Sequence, residues 1–408
     1  MNRSAIEKYA REAQRDFISA IEACARALGI VNDNPKPVTI DGESVVINGI
    51  PRDKNIAYAY NKLVDMVNDQ GLAQVIDEVA YTWFNRFIAI RFMEIQNWLR
   101  VSFHVLGGDA QTGLPEILSH ISDISADELP NLDLERIREL RLAGNREEEL
   151  YRLILVAQCN ALYEFMPLLF EQVNDVTELL LPNNLLATTG LIRKLVTSIA
   201  EEDFADVEII GWLYQYYIAD RKDEVIGHIV ATKDIPAATQ LFTPNWIVQY
   251  MVQNTLGQMW LATYPTSDIK AEMPYYIEPA CQRDDVQKQI AEITPQNLDP
   301  EKITFLDPAC GSGHILVEAY NIFKRIYTER GFSKREIPHI ILEKNLYGID
   351  IDPRAAQLTQ LALLMLARKD DRSILKEPPK MNIITHRSSK NAFKIFTLKT
   401  KYKIDRII

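Results

Sequence analysis

The sequence predicts a mainly α-helical domain followed by an α/β domain built on a small, incomplete parallel sheet. Three observations predict it. Apolar residues recur at three- and four-residue intervals through much of the first 225 residues. Beyond residue 300, two short apolar runs, 303–306 and 346–349, each meet an aspartate and then a helical pattern. Between the first run and its helix lies the turn DPACGSG, Asp307 to Gly313, with two glycines. Repeated strand–turn–helix units imply parallel strands with a ligand outside their carboxyl-terminal edge.

The chain has 408 residues, enough for two large domains or one decorated one. Its 47% apolar and 25% charged composition is that of a folded protein. A formal charge of −11 argues against a generally basic nucleic-acid binder but leaves a local positive face open. Charges run through the N-terminal segment, and no run approaches eighteen apolar residues without a charge. Cys24, Cys159, Cys281 and Cys310 lie far apart without zinc spacing, and the histidines form no ligand cluster. No metal and no membrane are expected, and a reduced cytoplasmic setting is the simplest reading.

Residues 1–225 form the expected helical domain. The pattern Ile6, Tyr9, Ala10, Ala13, Phe17, Ile21, Ala25 predicts a helix over 4–29 that stops at Gly29. A hairpin follows in PKPVTIDGESVVING, with Asp41-Gly42 as the tight turn. Residues 52–99 read as helical, and YTWFNRFIAIRFMEIQNWL is apolar nearly all round, as a buried helix is. Residues 107–131 are turn-rich, and helical signals resume to about residue 200. The aromatics Trp212, Tyr214, Tyr216 and Tyr217 read as a packing patch rather than a base-stacking platform.

Residues 226–300 form a connector and a helix leading into the second domain. Thr243-Pro244 suits an N-cap followed by proline at the first helical position, with Ile247, Met251, Leu256 and Met259 facing inward. Residues 301–385 carry the chemistry. Gly311 and Gly313 permit backbone geometry or close approach that a Cβ would forbid. Neither the Gly-Lys-Ser/Thr ending of a phosphate loop nor a third dinucleotide-type glycine is present, since residue 316 is Leu. Asp307 at the loop mouth would repel a pyrophosphate and attract an ammonium. Asp350, ending the second strand, is placed to accept from ribose hydroxyls. Asp352 reads as a helix cap, Cys310 as a small wall residue, and His314 as a packed helix-start residue.

These segments, FLDPACGSGHILVEAY with LYGIDIDPRAAQLTQLAL, closely resemble the cofactor-binding half of adenine-specific DNA methyltransferases that use S-adenosylmethionine. TQLFTPNWIVQYMVQNTLG resembles the helix-start motif preceding their glycine loop. The helical region looks like that of the very large methyltransferases of bacterial phage-exclusion systems, with fused restriction-modification enzymes the nearest relatives. The resemblance implies a Rossmann-like S-adenosylmethionine-dependent methyltransferase sheet. It implies that Asp307, Ala309, Gly311 and Gly313 surround the methionine part of the cofactor, that Asp350 holds the ribose, and that Phe242, Thr243 and Pro244 border the methionine end. It also implies duplex DNA with a target adenine as the partner of the complete enzyme, with other phage-defence proteins as further partners.

One part of the pattern is missing. Such enzymes carry Asn-Pro-Pro-Tyr or Asn-Pro-Pro-Phe, which holds an adenine flipped out of the duplex. Here the only Pro-Pro is Pro378-Pro379, flanked by Glu377 and Lys380. No catalytic residue is therefore assigned, and an N-terminal fragment is expected. A third strand is read at 382–385, followed by a basic tail, 386–408, that either touches DNA phosphates or is an exposed terminus. Two rival readings stand: a non-catalytic DNA- or protein-binding subunit with a vestigial pocket, and an NAD-binding oxidoreductase.

Overall fold

The computed structural model describes residues 1–39, 44–108, 112–130, 132–167, 169–170, 176–227, 230, 235–240 and 243–385. Phe242, the Asp41-Gly42 turn and the basic tail lie outside these residues. The chain divides into two units, Met1–Arg221 and Lys222–Ile408.

The first unit is helical among its described residues apart from one hairpin. Helix α1 (Arg3–Ala27) starts at Asn2, whose side chain accepts from the Ala5 N–H at 3.2 Å. Its expected stripe is buried: Ile6, Tyr9, Ala10, Ala13, Phe17, Ile21 and Ala25 all face inward, and Gly29 turns the chain at φ +77°. The hairpin observed is not the one expected: it forms from β1 (Ser44–Ile47) and β2 (Ile50–Asp53), antiparallel and joined at Asn48-Gly49. Both turn residues have positive φ, 50° and 75°, the geometry a two-residue hairpin needs.

The helical stretch expected over 52–99 is interrupted. Arg52 belongs to β2, and Gly71, at φ 88° and ψ 149°, separates α2 (Ile56–Gln70) from α3 (Leu72–Ile95). Helix α3 is enclosed on nearly every side, including Arg91 at 1% and Glu94 at 2% exposure. Burying two charges is tolerable only if both are satisfied. Arg91 pairs with Glu94 and Glu201, each at 2.7 Å, and Glu94 accepts from the N–H groups of Leu106 and Gly107. Helices α4 (Leu134–Ala143), α5 (Glu147–Tyr163), α6 (Val176–Leu179), α7 (Leu191–Ser198) and α8 (Glu208–Tyr217) follow, and α1 packs on α3, α7 and α8. Tyr214 and Tyr217 are buried against Tyr81 at ring separations of 5.8 and 5.4 Å, while Trp212 and Tyr216 stack on each other. The aromatic group is packing, as its spacing suggests. Helix α9 (Ala219–Val225) runs across the division.

In the second unit, α10 (Ile235–Thr239) precedes α11 (Asn245–Val252), a π-turn (Gln253–Gly257) and α12 (Gln258–Thr263). Two expectations fail here. Pro244 is itself the N-cap, at φ −51° and ψ 140°, and no side chain caps the helix, so Thr243 has no capping role. The inner face is Val248, Val252, Leu256 and Trp260, whereas Met251 and Met259 are exposed. Helix α11 presents the β-branched valines to α14, and the π-turn then carries Trp260 into the core; Trp260 is fully buried and donates to Ser267 at 3.1 Å. Helix α13 (Asp284–Ile293) buries none of its residues.

Strands β3 (Phe305–Asp307), β4 (Leu346–Asp350) and β5 (Asn382–Thr385) form a parallel sheet in the order β3-β4-β5. The first strand is shorter than expected, because Ile303 and Thr304 precede its pairing with β4. Helix α14 (His314–Glu329) returns the chain from β3, continuing through α15 (Glu336–Ile340) and a π-turn (Ile341–Asn345); α16 (Pro353–Asp370) connects β4 to β5. Helices α14 and α16 pack on one another and on β4, burying Leu346, Gly348 and Ile383. Leu306, on the opposite face, is 53% exposed. Among the described residues no helix is long and apolar enough to cross a membrane.

Candidate functional site

The register pairs Asp307 with Gly348, so the turn after β3 lies beside the end of β4, where Asp350 stands two residues farther on. Both carboxylates reach that turn. Asp307 accepts from the Ala309 N–H at 3.1 Å, and Asp350 accepts from the Gly311 N–H at 2.7 Å. The Cys310 N–H donates to the Ile349 carbonyl at 2.9 Å, and Gly313 closes the turn on the Cys310 carbonyl at 2.8 Å. Gly311 has φ +53° and Gly313 φ +90°, the left-handed region that a side chain makes costly. Gly313 then caps α14.

The N–H groups of Ala309, Cys310, Gly311 and Gly313 are committed to the protein's own acceptors. What the two carboxylates offer a ligand is acceptor capacity. Asp350 takes a second hydrogen bond, from the Asp352 N–H at 2.8 Å, so well-formed bonds occupy two of a carboxylate's roughly four acceptor positions.

Asp307 and Asp350 are 7% and 6% exposed. Burial lifts the Asp307 carboxyl above the usual aspartate range; the Ala309 N–H partly offsets this, and the charge of Asp350 lifts it further. Burial likewise lifts Asp350, against the N–H groups of Asp352 and Gly311 that favour its ionised form. No lysine or arginine is among the groups that shift either residue. Two buried acids with raised carboxyls, Asp307 partly through the charge of Asp350, form a site that a positively charged ligand would stabilise.

Asp352 caps α16, accepting from the Arg354 N–H at 2.9 Å, with Pro353 at the first helical position. Cys310 is 5% exposed, and burial followed by the two aspartate charges pushes its thiol up to about 12, so it is a wall and not a nucleophile. Burial lowers His314 to about 4, which keeps its ring neutral. Among the described residues no group of three or more His, Cys, Asp or Glu could hold a metal ion.

The structure thus brings Asp307, Ala309, Gly311, Gly313 and Asp350 to one loop. Thr243 and Pro244 precede α11, which packs on α14, and Gln240 of that segment stands beside the loop. Its Oε1 is 3.4 Å from where a Cβ on Gly311 would stand. Sequence reasoning missed Gln240, which carries no motif signal. It also missed Gly348, where a Cβ would come within 2.8 Å of Ile383, 2.9 Å of Leu316 and 3.1 Å of Cys310. A glycine inside a strand was the available signal of close approach. The third omission is Thr359, buried on α16, whose hydroxyl donates to the Gly311 carbonyl at 2.7 Å.

Comparison with known proteins gives a consistent set of similarities. Residues 284–387 match the family model "MmeI, DNA-methyltransferase domain". The chain is 48% identical over 395 residues to the adenine-specific methyltransferase BrxX of Escherichia coli O9:H4 (strain HS), covering 96% of this chain and 33% of that protein. It is 34% identical over 403 residues to the adenine-specific methyltransferase PglX of Lacticaseibacillus casei (strain Zhang), covering 91% and 33% respectively. The chain therefore spans about one third of the length of these curated relatives. A solved structure of the type IIL restriction-modification enzyme MmeI in complex with DNA overlaps 81% of this chain and 38% of its own, at 14% identity and a TM-score of 0.32.

Proposed function

From this chain's homology to the BrxX and PglX adenine-specific methyltransferases, we propose that its second unit is the S-adenosylmethionine-binding part of a Rossmann-like DNA adenine-N6 methyltransferase acting in cytoplasmic phage defence. The observation that carries the cofactor reading is the pair of buried carboxylates, Asp307 and Asp350, on a glycine loop in which the N–H groups of Ala309, Cys310, Gly311 and Gly313 already have acceptors. S-adenosylmethionine has a sulfonium, an ammonium and a ribose but no phosphate. Its charges relieve the two acids, whereas the pyrophosphate of NAD would meet them unfavourably.

In this reading Asp307, Ala309, Gly311 and Gly313 border the methionine part and Asp350 accepts from the ribose, with Phe242, Thr243 and Pro244 at the methionine end. When bound, the cofactor supplies an electrophilic methyl group for adenine N6. The residues of this chain bind and orient it, which is catalysis by positioning. They include no Asn-Pro-Pro-Tyr or Asn-Pro-Pro-Phe to accept hydrogen bonds from a flipped adenine. The proposed 408-residue chain accordingly binds cofactor without methylating DNA by itself, and duplex DNA is the partner of the whole enzyme.

Calorimetry with S-adenosylmethionine and with NAD tests the cofactor assignment. Saturable binding of the first with a rise in Tm, none of the second, and loss of binding in Asp350→Ala are expected. Absence of binding at millimolar S-adenosylmethionine would refute the reading in favour of a scaffold with a vestigial pocket. Adenine methylation of duplex DNA by the purified chain would overturn the statement that it does not act by itself.

A further inference from the structure

Thr359 sits in the interior of α16 with 0% exposure, at a position where a β-branched residue adds nothing to helix propensity. A threonine inside a helix ordinarily returns its hydroxyl to its own helix. Thr82, Thr197 and Thr328 do so here, donating to the carbonyls of Glu78, Arg193 and Lys324 four residues earlier at 2.7 to 2.8 Å. Thr359 instead donates across to the Gly311 carbonyl at 2.7 Å. Gly311 is thereby held from both sides, its N–H by Asp350 on β4 and its carbonyl by Thr359 on α16. The same side chain fills the space beside Gly313, where a Cβ would lie 3.0 Å from both Thr359 Cγ2 and Oγ1.

We infer that Thr359 is a positioning residue of the cofactor site: it fixes the left-handed turn at Gly311 and Gly313, and so sets the loop surface that the ligand meets. This rests on the cofactor reading above for its ligand, but the loop contact itself does not. Asp350 is engaged by the same residue, so loosening Gly311 also releases the carboxylate that the reading assigns to the ribose. The hydroxyl is the operative group. Valine keeps the shape and removes the donor, leaving the half-buried Gly311 carbonyl without its partner; serine keeps the donor.

The experiment compares the parent chain with Thr359→Val, Thr359→Ala and Thr359→Ser in two readouts. The first is S-adenosylmethionine affinity by calorimetry. The second is amide hydrogen exchange over residues 307–314 in the ligand-free chain. Expected are an affinity weakened by about five- to tenfold in the valine variant, faster exchange confined to the loop, and recovery of both to within about twofold in serine. If the valine variant does not fold, alanine, which removes the donor and relieves the contact, takes its place. Parent-like affinity and parent-like loop exchange in a variant without the hydroxyl would overturn the inference. If the parent itself binds no cofactor, the cofactor reading fails separately, and the exchange comparison still decides whether Thr359 holds the loop.

Discussion

Replacing Gly313 by alanine tests the geometry of the loop most directly. The backbone there has φ +90°, where an L side chain costs about 1–2 kcal/mol. The new Cβ would also lie 3.0 Å from Thr359 Cγ2 and Oγ1 and 3.1 Å from its Cα. The Cα belongs to a helix packed on the sheet, so it cannot recede without moving α16, and such overpacking costs about 1–3 kcal/mol. Against this, alanine lowers the entropy of the unfolded chain, returning about 0.4–1 kcal/mol. The net is a loss of about 3 kcal/mol, a large share of the roughly 5–15 kcal/mol that holds a domain together. Because the chain has two units, a single unfolding curve would mix them. Hydrogen exchange in α14 across a urea series reads the second unit alone. In a Thr359→Ala background two of the three contacts disappear, so Gly313→Ala should then cost about 1–2 kcal/mol less. A cost below about 0.5 kcal/mol would show that neither the left-handed turn nor the approach to Thr359 constrains the loop, and strict additivity of the two changes would rule out the approach to Thr359.

Asp307→Asn should raise the stability of the ligand-free chain by about 1 kcal/mol at pH 7, because it removes a buried charge while its amide oxygen can still accept from Ala309. The same variant should bind S-adenosylmethionine at least about tenfold more weakly, and parent-like affinity in titration would sink the role of that charge. The pH dependence contains opposing parts. Asp307 and Asp350 have raised folded values, so the native state takes protons first and their contribution grows as pH falls toward the ordinary aspartate value of 3.8. His314 works the other way. Its value falls from 6.5 unfolded to about 4 folded, so between those limits the unfolded ring takes a proton that the folded ring refuses, and stability drops with falling pH by up to about 3 kcal/mol. His314→Gln should flatten that limb in urea titrations from pH 7 to 4, and an unchanged slope would contradict the assignment.

The sequence by itself determined the elements and the members of the loop. The 3.6-residue stripe of α1, the all-round apolar α3, the acid-ended strands and the two glycines are local signals, because each follows from residue spacing or from backbone geometry closed to other residues. Where a second interaction competed, spacing misled. Gly71 splits one helical pattern into two, and the inner face of α11 shifts to Val248 and Val252 because the following π-turn and the buried Trp260 set its rotation. Asp307 and Asp350 were legible as acids at strand ends; that both spend acceptors on one glycine turn, and that the charge of Asp350 raises Asp307, was not. Only the tertiary structure decided that four of the loop's N–H groups have acceptors within the protein, that Gln240 stands beside Gly311, and that Thr359 on α16 reaches across to hold it. The physical reason is that hydrogen-bond satisfaction and close approach depend on partners far away in sequence, brought together by strand register and helix packing, which no local pattern records.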